Sequence, residues 1–296
     1  MIVSNSNELT EQVLRVMSQT KDARLREILV SLVTHLHAFV RDVRLSEDEF
    51  RAAAKIVAEL GQQTNDIHNE VVLIAGSLGV SSLVCLLNNG DSGNTETNAS
   101  LLGPFWRLNS PRTPNGGSIM RSDTPGPALF MSATVVDRAG QPIAGAEVDV
   151  WHSSPVGLYE NQDPEQAEMN LRGKFTTNED GRFWFRSVLP AGYPIPTSGV
   201  AGRLLEAQDR HPFRPAHVHA LIYKPGFKTL ISQVYVDGAE HLESDVQFGV
   251  TRALIGGFVK HDEPHPDETI DAPWYSLDYR FVMEDGDARL PQPPIK

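Results

Sequence analysis

Leu129-Phe130-Met131-Ser132-Ala133-Thr134-Val135-Val136, followed by Asp137-Arg138-Ala139-Gly140, decides the fold class of this chain. Successive side chains of a strand point to opposite faces, so alternation about one buried face predicts a half-buried strand. The Asp-Arg-Ala-Gly tract that ends it reads as a turn. The same pattern recurs downstream. Ala146 to Trp151 reads as a second strand, and Glu179-Asp180-Gly181 as a hairpin-type turn ahead of Phe183-Trp184-Phe185. His217 to Tyr223 and Leu230 to Val236 read as further strands. Many short strands joined by Gly/Pro turns predict a sandwich or a barrel.

Upstream the character changes. All 20 prolines lie after residue 90. Proline breaks helices, so the first third is free to be helical and the rest is not. Leu25, Ile28, Leu29, Leu32, Leu36, Phe39 and Val40 follow the three-four spacing of one helix face. Ser46 and Glu49 form a capping box ahead of a helix toward Leu60, with Gly61 as its stop. Val71 to Leu87 is mostly helical in pattern and ends at Asn88-Asn89-Gly90. The expectation is an α+β protein: an all-helical part over residues 1–95, then a mostly antiparallel β-sandwich over 96–296. The Pro-rich tail from Arg289 to Lys296 is expected to be irregular.

Composition narrows the function classes. The chain has 296 residues and a net charge of −12, against the basic surface that nucleic-acid binding needs. A single cysteine, Cys85 in an apolar run, rules out an intrachain disulfide framework and fits a reducing compartment. The polar start at Ser4-Asn5-Ser6-Asn7 is unlike a signal peptide. No run approaches the ~20 apolar residues of a membrane span. A cytoplasmic protein is expected.

The chemistry concentrates in Arg214-Pro215-Ala216-His217-Val218-His219. Residues two apart on a strand share a face, about 7 Å apart, so both imidazoles can converge on one metal. Tyr159 ends Val150-Trp151-His152-Ser153-Ser154-Pro155-Val156-Gly157-Leu158, and Tyr193 follows Leu189-Pro190-Ala191-Gly192. Each tyrosine follows a glycine turn, yet spacing alone does not bring either one to the histidines. A zinc hydrolase built on the histidine pair, or a metal-free binding module, therefore stays open at this point. His152 reads as structural, and His261-Asp262-Glu263-Pro264-His265 as a solvated loop.

Five segments, in order, resemble the intradiol ring-cleavage dioxygenase family: Leu102-Gly103-Pro104-Phe105, Val150 to Tyr159, Asn170-Leu171-Arg172-Gly173, Pro190-Ala191-Gly192-Tyr193, and Arg214 to His219. The resemblance implies a non-haem Fe(III) held by Tyr159, Tyr193, His217 and His219. Phenolates are hard anionic donors that suit a trivalent ion, and such an ion lets a phenol of ordinary pKa near 10 ionise at neutral pH. The implied reaction opens a small aromatic diol or triol with O2. Tyr159 stays a fixed ligand, Tyr193 acts as ligand and base, Arg214 stabilises the carbanionic ring carbon, and Gln233 orients the reacting intermediate. Tyr193 to Thr197, Arg210 to Arg214 and Ser244 to Val250 resemble the hydroxyquinol 1,2-dioxygenases, which implies benzene-1,2,4-triol as substrate and maleylacetate as product, with catechol as the runner-up. Implied pocket positions are Leu73, Gly76, Leu101, Leu102, Gly103, Pro104, Phe105, Ile195, Pro196 and Val246. One position departs: Gly76 stands where that subgroup tends to carry an acidic residue, which implies a roomier pocket. The N-terminal helices resemble the family's dimerisation domain, implying a homodimer with a phospholipid or fatty acid at its interface.

Overall fold

The computed structural model describes residues 2–65, 68–89 and 98–294. The chain forms two compact units, residues 1–59 and 60–296. In the first unit, α1 (Ser6–Met17) and α2 (Ala23–Asp42) pair, with Arg41 Nη1 donating to Thr10 Oγ1 at 2.8 Å. The helix expected from Leu25 to Val40 is α2. None of its residues is buried, and Leu25, Ile28, Leu32, Leu36 and Phe39 all stand exposed. The Ser46–Glu49 capping box forms in both directions at the start of α3 (Glu47–Gln63). The helix runs through Gly61 instead of stopping there: a glycine weakens a helix by about 1 kcal/mol but does not break it.

In the second unit, the apolar stretch from Val71 to Leu87 is two helices, α4 (Glu70–Ser77) and α5 (Val80–Asn89), bent by 76° at a break. Gly79 makes the bend with φ +72, a left-handed conformation that glycine adopts without a Cβ penalty. Gly90, the expected stop, lies outside the described residues. Among the described residues, no single helix is long and apolar enough to cross a membrane.

The sandwich follows. One sheet orders β10 (Val259–His261), β11 (Trp274–Val282), β1 (Ala128–Val136) and β4 (Arg182–Val188). The other orders β3 (Arg172–Thr176), β2 (Glu147–His152), β7 (His217–Tyr223), β8 (Leu230–Val236) and β9 (Ile255–Gly256). Leu129, Met131, Ala133 and Val135 bury against Val148, Val150, Val218, Ala220 and Ile222, which sets the alternation of β1 into the core between the sheets. The sheets are mixed, not uniformly antiparallel: β1 pairs in parallel with β11, and β8 with β9. Side-chain alternation fixes which face a residue takes but not the direction of its neighbouring strand, and β11 inserts between β10 and β1.

Strand parity positions the site. Val218, Ala220 and Ile222 face the core, so His217 and His219 must face the outer side of the second sheet. That side is dry as well, because Phe105, Trp106, Trp151, Tyr159, Tyr193 and Leu221 form a second cluster over it. A short pairing of β5 (Tyr193–Pro194) with β6 (Phe213–Arg214) brings the Tyr193 loop back to the strand that leads into the histidines.

Candidate metal centre

Four side chains from three places in the chain meet on the outer face of the second sheet. His217 and His219 approach through their Nε2 atoms at 3.1 Å. Tyr193 Oη lies 3.4 Å from His217 Nε2, and Tyr159 Oη lies 3.4 Å from Tyr193 Oη. All four are buried, at 4% exposure or less. His217 Nδ1 lies 2.7 Å from the Pro215 carbonyl, which can only accept, so Nδ1 carries the proton and Nε2 turns a lone pair to the site. Trp151 stacks on His219 with ring centroids 4.6 Å apart and fixes its plane.

Burial sets the protonation states. It holds His217 neutral, with its pKa lowered to about 3, and holds His219 neutral too, its pKa well below the ordinary value because of burial and because His217 beside it disfavours a second positive charge there. Burial also pushes both phenols up, Tyr159 well above its ordinary value, with Tyr193 beside it adding to the shift. Two neutral imidazoles and two phenols that do not ionise unaided are a donor set that fits a polyvalent cation, whose charge would stabilise the phenolates. Among the described residues, no group of three or more His, Cys, Asp or Glu is arranged to hold a metal, so a metal here needs the tyrosine oxygens.

Arg214 stands beside this centre, 3% exposed. Its Nε and Nη2 each reach an Asp245 carboxylate oxygen at 3.1 Å, and Nη2 also donates to Gln233 Oε1 at 2.9 Å. Burial opposes the charge of Arg214, but Asp245 and Tyr235 outweigh it and keep the guanidinium protonated. Gln233 donates from Nε2 to the Leu101 carbonyl at 2.6 Å, and Tyr235 donates to Gln233 Oε1. Sequence reasoning missed Asp245 and Tyr235. Tyr235 follows Gln233 by two on β8, the same-face spacing that pairs the histidines, so it was within reach. Asp245 lies on a separate loop with no such signal.

Of the implied pocket residues, Leu102, Gly103 and Phe105 lie against the four donors. Phe105 stacks on Tyr159 with centroids 4.2 Å apart, and Leu102 packs on the same cluster. Gly103 passes so close to His219 that a Cβ would sit 3.2 Å from its Cε1. Leu73, Ile195 and Val246 form an adjoining apolar cluster. Leu73, Pro104, Phe105 and Pro196 line a cavity of about 470 Å³ that also reaches Arg107 and Glu160. The space beside Gly76 is not empty. Gln247 fills it, with Oε1 1.7 Å from where a Cβ on Gly76 would stand and Nε2 donating to Ser77 Oγ at 3.2 Å.

The decoys lie elsewhere. His152 faces the core side and bridges the sheets: Nδ1 donates to the Ser153 carbonyl and Nε2 accepts from Ser187, both at 2.7 Å. His261 and His265 are half-buried by ring stacking, while Asp262, Glu263 and Pro264 between them are exposed, as expected of a solvated loop. His261 stacks on Trp274 at 3.7 Å and His265 on Phe130 at 4.6 Å.

Two imidazoles and two phenols make a nitrogen and oxygen donor set unlike that of zinc hydrolases, whose ligands are His, Cys and carboxylate. The chain belongs to the intradiol ring-cleavage dioxygenase family: residues 102–283 match the dioxygenase family and residues 22–95 the catechol dioxygenase N terminus. The hydroxyquinol 1,2-dioxygenase of a Rhizobium species is 36% identical over 92% of this chain and 93% of that protein. The catechol 1,2-dioxygenase of Candida albicans is 34% identical over 94% of this chain and 92% of that one. The solved hydroxyquinol 1,2-dioxygenase of Pseudomonas putida superposes with a TM-score of 0.84 at 33% identity, covering 95% of this chain and 99% of that chain. The protein is thus an enzyme of the dioxygenase type.

Proposed function

We propose that this enzyme is an Fe(III)-dependent intradiol dioxygenase that cleaves hydroxyquinol with O2 to maleylacetate, with Tyr159, Tyr193, His217 and His219 as iron ligands. The convergence of the four buried donors, within 3.4 Å links, carries the reading. Bound Fe(III) supplies the charge that ionises the phenols and the substrate hydroxyls, and makes the ring diolate reactive toward O2. The chain's own residues do the rest. Tyr193 Oη, on a two-residue strand, would accept the proton of one substrate hydroxyl, with the second proton lost to solvent, while Tyr159 would remain a donor to the metal. Arg214, kept cationic by Asp245, presents fixed positive charge to the ring carbon that becomes negative. Gln233, anchored to Leu101, orients the oxygenated ring. Phe105, Leu73 and Ile195 exclude water.

Catechol is the second reading, favoured by one observation: beside Gly76 stands the neutral amide of Gln247, not a carboxylate. The purified iron-loaded protein is expected to show a broad visible band from phenolate-to-iron charge transfer. Its absence would sink the ferric-tyrosinate assignment. Oxygen uptake measured with hydroxyquinol and catechol side by side ranks the substrates, and faster turnover of catechol overturns the hydroxyquinol assignment.

We further propose that residues 1–95 act as a dimerisation domain and residues 96–296 as the catalytic domain. The exposed apolar face of α2 supports a homodimer, with a phospholipid or fatty acid as the molecule that would share that face. Sedimentation at micromolar concentration that finds only monomer refutes this.

A further inference from the structure

Arg172 has no part in the chemistry above, yet it is among the largest fully buried side chains, 1% exposed. Burying a guanidinium costs several kcal/mol of lost hydration, and a buried ion pair seldom repays it over an apolar substitute. Its contacts show where that cost is spent. Nε donates to Glu160 Oε1 at 2.7 Å, and Glu160 follows Tyr159 directly in the chain. Nη1 donates to the Phe105 carbonyl at 2.6 Å, and the Phe105 ring is the one stacked on Tyr159. Cζ itself lies 5.9 Å from the centroid of the Tyr159 ring. A single side chain thus grips Tyr159 through the residue after it, through the ring packed on it, and across its own ring.

The sheet register puts this grip in line with the centre. Arg172 on β3 is opposite Trp151 on β2, Trp151 is opposite His219 on β7, and His219 is opposite Gln233 on β8. Directly opposed residues share a face, so Arg172, Trp151, His219 and Gln233 form one row across four strands. Arg107 adds a second cation to Glu160 Oε1 at 2.9 Å, while Glu160 Oε2 and Arg172 Nη2 are buried without partners. Polar atoms left unmatched in this way mark a cluster shaped by something other than stability. Tyr193 meets a guanidinium too, that of Arg214, but among the described residues its segment is held differently, by a two-residue backbone ladder to Phe213 and Arg214.

We propose that Arg172, anchored by Glu160, is a positioning residue that clamps Tyr159 and thereby makes the two tyrosines unequal, one fixed and one free to leave. This rests on the ferric-tyrosinate reading above. The test compares iron-loaded wild type with Arg172→Met, Arg172→Lys and Glu160→Gln in iron content, visible absorption and oxygen uptake with hydroxyquinol and catechol. A guanidinium over a phenolate lowers the energy of its electrons, so Arg172→Met is expected to keep its iron but move the band to longer wavelength. Its kcat is expected to fall about 100-fold with KM little changed, as for a misplaced catalytic group. Arg172→Lys, which restores charge without the fork, returns the band toward its wild-type place but leaves kcat low. A folded Arg172→Met with wild-type band and kcat overturns the proposal. If Arg172→Met does not fold, the near-isosteric Glu160→Gln decides: a fall in kcat with iron retained and KM little changed supports the clamp, and an unchanged band and kcat overturn it. A wild-type protein that holds iron without any visible band refutes the underlying reading instead, and the clamp with it.

Discussion

Gly76 and Gln247 should behave as one unit, and the coupling can be worked from the distances. A Cβ at position 76 would stand 1.7 Å from Gln247 Oε1 and 2.6 Å from its Cδ, well inside van der Waals contact. Gly76→Ala therefore forces the amide aside and breaks its bond to Ser77 Oγ. Losing a buried hydrogen bond and leaving its partners unmatched costs about 1–3 kcal/mol. Replacing glycine by alanine within α4 returns about 1 kcal/mol of helix propensity. The single variant should be destabilised by up to about 2 kcal/mol. In a Gln247→Ala background the obstruction is gone, so the same change should stabilise by about 1 kcal/mol. The resulting coupling of about 1–3 kcal/mol is read from urea unfolding of the four proteins at one protein concentration. Additivity within about 0.5 kcal/mol, the norm for sites that do not touch, would refute the reasoning. The same cycle informs specificity. Gly76→Asp with Gln247→Ala places a carboxylate where the hydroxyquinol subgroup tends to carry one. The ratio of kcat/KM for hydroxyquinol over catechol should then rise, and an unchanged ratio would remove this end of α4 from substrate selection.

Two further outcomes follow from the buried charges. Asp245→Asn strips Arg214 of its counter-charge and should cost about 3–5 kcal/mol, whereas Arg214→Met with Asp245→Leu should be close to neutral in stability. Both should lose about 100-fold or more in kcat, because the fixed positive charge is misaligned in one and absent in the other. A double variant that keeps wild-type kcat would exclude Arg214 from the reaction. His152 is held neutral by burial with its pKa lowered to about 4. Below an unfolded value of about 6.5 the unfolded chain binds a proton that the folded chain refuses, so stability falls with pH from about 6.5 down to about 4. Two and a half pH units at ~1.4 kcal/mol each come to about 3 kcal/mol for this residue. Unfolding measured across that window should show a shallower slope in His152→Gln, and an equal slope would place the proton uptake on other groups.

What the sequence disclosed and what it hid follow the range of each interaction. β7 and β8 stand at the residues expected from alternation, since period-two burial is written locally. The pairing of His217 with His219 follows from the same rule. Tyr159 and Tyr193 reach them only through tertiary packing, so their place beside the histidines was legible through family resemblance alone. Helix α6 (Val200–Ala207) was not foreseen, and its cause is remote. Its N-terminus has no side-chain cap of its own. Instead Glu70, more than a hundred residues earlier, accepts from Ala201 N at 2.6 Å and puts a carboxylate at the positive end of the helix. Gly199 permits this, since a Cβ there would lie 2.4 Å from the same carboxylate.

The departure at Gly76 is the place where resemblance and structure diverge most usefully. Reading the helix alone, a missing side chain implied added room. In the fold that room is taken by Gln247, whose backbone is tied on one side to Asp245 and on the other to Ser82 of α5. Asp245 is also the counter-ion of Arg214. A substitution that moves Gln247 therefore pulls on the loop that orients Arg214 as well as on the pocket wall. Substrate choice and charge placement would then be mechanically linked. If they are, Gly76→Ala should lower kcat for hydroxyquinol and catechol alike through Arg214, whereas Gly76→Asp with Gln247→Ala should alter their ratio. A Gly76→Ala protein with unchanged kcat on both substrates would show that the loop absorbs the displacement before it reaches Arg214.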